Sequence, residues 1–210
     1  MTLTTIIENV AQWAQAAICD GLKLKLPDDD RNDASYPGEF VTPTAFPMFV
    51  PARDRLPPNV AAPIPSLCVQ FKDGKDELVG GKRTVRLRLS LATWSPGEHG
   101  TEVVVPETDL SRPGSVRYRR KTGHDLASYA RNMEGWRGVM NFADRTLEAL
   151  ESAEFIVGLR LKKEGEGITF GSFTQEGQIW DFYPYWFLWV DVTLECGVVH
   201  KTPDIYKNLL

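Results

Sequence analysis

Chemistry-bearing residues are scarce in this chain. Its 210 residues include three cysteines and three histidines. Cys19, Cys68 and Cys196 are far apart and odd in number, and no C-x-x-C pair occurs. That pattern argues against a disulfide framework and predicts inert thiols in a reducing setting. His99, His124 and His200 each lack a second ligand at metal-binding spacing, so surface histidines are expected. Long apolar runs are missing as well. No stretch reaches the roughly 18 residues that a membrane-spanning helix needs. The opening MTLTTIIENVAQWAQ lacks the basic start and long apolar run of an export signal. KDEL at 75–78 is internal, whereas a retention signal must be C-terminal.

Positive charge is outweighed: 24 Lys and Arg against 28 Asp and Glu give a net charge of −4. The pI near 5.5 argues against whole-surface binding to nucleic acid. G-x-S-x-G and H-E-x-x-H do not occur. VGGKRT at 79–84 fails as a phosphate loop, because Asp76 stands where the first glycine belongs and Arg83 where Ser or Thr should follow the lysine. It leads into a strand pattern, so a hairpin turn is expected. Glu164 and Glu166 stand two apart, but a carboxylate pair without a pocket carries no acid–base chemistry. No catalytic residue, metal site or cofactor is therefore expected, and no enzyme.

What is present is a globular composition, 42% apolar and 10% aromatic, in a length suited to one domain over 1–210. Residues 2–20 place Ile6, Val10, Trp13, Ala14 and Ala17 on one helical face, with Thr4 or Thr5 as cap and Gly21 as terminator. LKLKL at 22–26 reads as a short strand. Nine of the prolines then fall between Pro27 and Pro65. Proline removes ladder donors, so 27–65 is expected to be an extended arm or insertion with at most short strand pieces. Its Phe40, Phe46, Met48 and Phe49 need cover from somewhere.

SLCVQFKD (66–73) and KRTVRLRLSLATW (82–94) read as an antiparallel pair, with Val85, Leu87, Leu89 and Leu91 on one face. A long polar loop is expected over 95–123, then a helix over 125–152 that bends or breaks near Trp136. FIVGLRLKK (155–163) and a last strand follow. This order predicts an α+β fold: a mostly antiparallel sheet with two helices packed on one face, plus the long Pro-rich arm.

Two features remain. Arg117, Arg119, Arg120 and Lys121 form a dense basic loop, read either as a solvated loop or as a surface for an acidic partner. DFYPYWFLWVDVTLEC at 181–196 carries six aromatic residues among the eight from Phe182 to Trp189. In its alternating part, Leu188, Val190, Val192, Leu194 and Cys196 face one way and Trp189, Asp191, Thr193 and Glu195 the other. Tyr183, Tyr185, Trp186 and Trp189 are candidate interface residues, since such a cluster marks a protein contact or a sugar-stacking platform.

The succession of IIENVAQWAQ, a Pro-rich arm, PIPSLCVQFKDG, VRLRLSLATWSPG, GHDLASYARNMEGWRGVM and YPYWFLWVDVTLEC resembles the tail-terminator and tail-completion proteins of long-tailed phages and phage-derived contractile devices. The likeness is one of element order over most of the chain. It implies a structural subunit of the virion tail, assembled in the host cytoplasm, whose homohexameric ring caps the tail tube and meets a head-completion protein. Partners would be further copies of itself, the tail-tube protein and the head-completion protein, with DNA met only in passage through a lumen. The arm, with Phe40, Phe46, Met48 and Phe49, would then pack on a neighbouring subunit. At 210 residues the chain is longer than compact members, with the excess at 27–65 and 95–123. The alternatives are a carbohydrate-binding module stacking sugars on Trp180, Trp186 and Trp189, or another head–tail or baseplate assembly role.

Overall fold

Apolar periodicity sets the first element. Residues 2–27, 39–77, 81–95, 102–108, 116–122, 135–165, 167–180 and 182–197 are described by the computed structural model. Helix α1 (Leu3–Ala14) buries Ile6, Ile7, Val10, Ala11 and Ala14 along one stripe. Thr2, rather than Thr4 or Thr5, caps it by accepting the Thr5 amide at 3.2 Å. The helix widens into a π turn over Gln15–Cys19 and stops at Gly21, whose φ of +83° suits a residue without a Cβ.

Strand β1 (Leu24–Lys25) pairs with β2 (Phe40–Val41), and β3 (Thr44–Pro47) follows at once. The described start of the arm is thus tied to its own chain. Gln15, at the start of the π turn, donates to the Pro43 carbonyl at 3.3 Å and accepts the Ala45 amide at 2.8 Å. β3 runs parallel to β4 (Ser66–Glu77) as an edge strand of the main sheet, and Phe46 is buried there at 5% exposure. The expectation that the arm's phenylalanines all pack on a neighbour is corrected for Phe46. Pro43 and Pro47 permit this strand because it lies at an edge, where one side needs no ladder donors.

β4 pairs antiparallel with β5 (Lys82–Trp94) down to Glu77↔Lys82, as a hairpin requires. The expected polar loop at 95–123 contains an antiparallel ribbon instead, β6 (Glu102–Thr108) with β7 (Val116–Thr122), in register from Glu102↔Thr122 to Thr108↔Val116. The β-branched run Val103–Val105 favours extended backbone over loop. Arg117, Arg119, Arg120 and Lys121 therefore belong to a strand and not to a loop. Helix α2 (Trp136–Ser152) starts where a break was expected, and residues 125–134 lie outside those described.

Next come the hairpin β8 (Phe155–Ile156) with β9 (Leu159–Leu161), then β10 (Ile168–Ser172), and a second small hairpin, β11 (Thr174–Gln175) with β12 (Gln178–Ile179). The last strand, β13 (Tyr185–Gly197), pairs with β5 along its whole length and carries β10 and β9 on its other edge. The main sheet runs β3-β4-β5-β13-β9-β8, with β10 also on β13. This is the α+β architecture expected, antiparallel apart from the β3–β4 contact.

The core lies on one side of this sheet. Rows such as Leu67–Leu91–Leu188 and Val69–Leu89–Val190 cross three strands and meet Ile6, Val10 and Ile18 of the first helix and Val139, Phe142 and Leu150 of α2. At one corner the chain departs after Ser95 and returns at Gly135, and these two residues touch. Trp186 Nε1 donates to the Ser95 carbonyl at 2.8 Å, and a Cβ on Gly135 would run into that same carbonyl. Only glycine fits there.

Candidate functional site: the open face of the sheet

The face turned away from the helices has its own rows, Ser66–Ala92–Phe187, Cys68–Ser90–Trp189 and Gln70–Arg88–Asp191. Its two ends differ in chemistry.

One end is ionic. Arg88 grips Asp191 through two hydrogen bonds, at 2.7 and 2.9 Å, and Lys72 Nζ joins at 2.6 Å. Lys72 follows Gln70 by two residues and so shares its face, while a register shift between Phe71 and Asp73 also sets Asp73 opposite Arg86 there. Burial alone would raise the Asp191 carboxyl, but the hydrogen bonds from Arg88 and Lys72 outweigh it and hold the group below the usual carboxylate range. The hydrogen bond to Asp191 in turn raises Arg88 against its own burial. The Arg88 guanidinium lies 4.6 Å from the Trp189 ring centroid, a cation–π contact.

The other end is apolar and hollow. A cavity of about 870 Å³ has Ser66, Cys68, Gln70, Ser90, Ala92 and Phe187 as its floor. Phe49, Val50 and Ile64 of the arm wall one side, and Phe173, Trp180 and Phe182 the other. The second wall is a chain of rings: Phe173 stacks on Trp180 at 5.7 Å, and Trp180 meets Phe182 edge-on at 5.5 Å. Phe182 then meets Phe187 edge-on at 5.8 Å. Phe49, Trp180 and Phe182 remain 68%, 44% and 50% exposed. None of the described lining residues is charged. Ser90 Oγ donates to Gln70 Oε1 at 2.7 Å. Ser66 Oγ is buried and has no hydrogen-bond partner among the described residues.

The predicted interface residues divide across this geometry. Phe49 and Tyr185 line the cavity, as does Tyr183, while Met48 and Phe40 are exposed outside it. Phe46 is buried beside Cys68. Trp186 points to the helix side and packs against the core, so it offers no platform. Trp189 is covered as well: Arg88 lies over its ring, its Nε1 donates to the Ser172 carbonyl at 3.0 Å, and Gly171 sits close against it. Of the three tryptophans considered for sugar stacking, Trp180 alone is exposed, and Trp186 and Trp189 are corrected to internal roles.

Comparison with protein-family models, curated proteins and solved structures found no match.

Other candidate chemistry sits elsewhere. His99, His124, His200 and Glu166 lie outside the described residues, as do the side chains of the basic patch 117–121, and Glu164 is exposed. No group of three or more His, Cys, Asp or Glu among the described residues is placed to hold a metal ion, and no described helix is long and apolar enough to cross a membrane. Cys19 and Cys68 are buried and free, with burial pushing their thiols up to about 12 and about 11. Sequence reasoning missed the β11–β12 hairpin that aims Phe173 and Trp180. Its signal was TQEGQI, whose Glu176 and Gly177 both take positive φ, +53° and +81°, as a tight hairpin turn demands.

Proposed function

We propose that this chain is a structural assembly subunit acting through protein–protein contact, as a ring-forming tail terminator of a long-tailed phage or related contractile device. In this reading the ring, expected to be a homohexamer, caps the tail tube and joins it to the head-completion complex. One observation carries the contact role: exposed rings on both walls of the hollow, Phe49 on one and Trp180 and Phe182 on the other, on one face of a sheet whose other face is closed by helices. Water penalises such a rim, and another protein surface removes the penalty. The terminator assignment adds the resemblance in element order, and the α+β fold is consistent with it.

The glycan reading is less well supported by this geometry. A sugar offers many hydroxyls and needs several convergent polar partners. The described lining supplies Ser66, Gln70, Ser90, Tyr183 and Tyr185; Gln70 and Ser90 are already bonded to each other, and the Ser66 hydroxyl is buried.

Light scattering over a wide concentration range tests the ring. The expected result is growth toward six times the 23.6 kDa chain mass. A chain that stays monomeric at every concentration, even with tail tube added, overturns the ring. Normal tail length and head joining after deletion of the gene would overturn the terminator role as a whole.

A further inference from the structure

We propose that the β6–β7 ribbon binds the sugar–phosphate backbone of nucleic acid through the face that carries Arg117, Arg119 and Lys121. This goes beyond the ring and the contact role above and depends on neither.

Because Val116–Thr122 is a strand and not a loop, its charges recur at a fixed step. Every second residue returns to the same face, about 7 Å further on. Register settles which residues share that face. Arg117 stands opposite Glu107, Arg119 opposite Val105 and Lys121 opposite Val103. The reverse face holds Arg120 opposite Val104, Tyr118 opposite Pro106 and Thr122 opposite Glu102. The first face therefore has three cations to one carboxylate, and the second has one of each. All of the ribbon's net charge lies on one side.

Charge is also divided between the ribbon and the rest of the chain. β6 and β7 hold four cations and two carboxylates, a balance of +2, which leaves 20 against 26, or −6, elsewhere. A polyanion is thus attracted by the ribbon and repelled by the remainder, which confines it to this one element.

Two properties favour nucleic acid over an acidic protein. Phosphates follow one another at a constant step along a strand, as the three cations do, whereas carboxylates on a folded surface keep no such period. The ribbon also pairs with no other described strand. A two-stranded ribbon of this kind is narrow enough for the major groove of a duplex, about 12 Å wide. Arginine adds a planar fork that matches phosphate oxygens. Contacts of this sort position a protein on nucleic acid and read no sequence.

The test is fluorescence anisotropy of a dye-labelled, mixed-sequence DNA duplex titrated with the full chain over a series of salt concentrations. Saturable binding is expected at low salt. Three phosphate contacts give log K against log salt a slope of about −2.7, so each doubling of salt should weaken binding about sixfold. Replacing Arg117, Arg119 and Lys121 together by Gln should flatten the slope and remove the binding. If that triple variant melts below wild type, Arg119→Gln and Lys121→Gln singly take its place, each reducing the slope by about 0.9. Arg120→Gln, on the reverse face, should leave the slope unchanged. No saturable binding at low salt, a slope untouched by the Gln variants, or an equal loss in Arg120→Gln overturns the proposal. Displacement of the duplex by polyglutamate at equal charge overturns it in favour of an acidic protein partner.

Discussion

Along β13, Leu188, Val190, Val192 and Leu194 point toward the two helices, while Phe187, Trp189 and Asp191 between them point away. The same strands thus serve two surfaces with opposite relations to water. The helix side is built from aliphatic side chains of similar size, most of them fully buried. The open side changes within three rows from an ion cluster to an aromatic hollow. The helix side, where burial is complete, carries stability. The open side leaves an exposed rim, and the proposed contact role falls there.

That contrast breaks most visibly with the helix-side row. Leu89→Ala empties a fully buried position and should cost about 4 kcal/mol, read as a shift in the urea midpoint. Gly135→Ala comes next, at about 3 kcal/mol, because the new methyl meets the Ser95 carbonyl and lies 2.7 Å from Trp186 Nε1. An undiminished melting temperature in either variant would show that the helix side is not the main source of stability.

The ionic end of the open face is the intermediate case. Asp191→Asn leaves Arg88 and Lys72 facing each other without a carboxylate, at about 2 kcal/mol, less than a fully buried pair because both cations reach water. The pH dependence has a definite sign. The Asp191 carboxyl is depressed in the folded chain, so its contribution is present above its ordinary value of 3.8 and is lost as pH falls through the lower folded value. Wild type should lose stability along that acid limb and Asp191→Asn should lose less, measured by urea titration from pH 5 downward. Smallest of all should be Trp180→Ala, below about 1 kcal/mol for a side chain 44% exposed. Its effect belongs in assembly, and a large stability loss with unchanged native mass would reverse the division between the faces.

The sheet was legible in sequence because period-two alternation marks a half-buried strand regardless of its neighbours. Val85 to Leu91 and Leu188 to Cys196 were placed on the correct sides by that rule alone. The arm was legible only in part. Proline density suggested irregular chain, yet Phe46 enters the sheet because an edge position tolerates Pro43 and Pro47, and edge status is a tertiary fact. Trp186 and Trp189 looked alike on paper. Which one packs inward depends on Ser95, Gly135, Arg88 and Gly171, all distant in sequence. The ion cluster escaped notice because its members, Lys72, Arg88 and Asp191, come from three strands whose mutual register no local pattern fixes. The cavity escaped for a similar reason, since its two walls come from 49–64 and 173–182.

The meeting of Ser95 with Gly135 has a consequence for how such a chain changes over generations. Ser95 and Gly135 stand side by side, so the chain leaves the sheet and rejoins it at one doorway. Lengthening, trimming or exchanging the stretch between them alters loop closure only slowly with length and leaves the strands on either side where they are. Lineages can therefore vary this appendage while the sheet descends unchanged, and a designer can graft another hairpin at the same threshold, provided Gly135 stays.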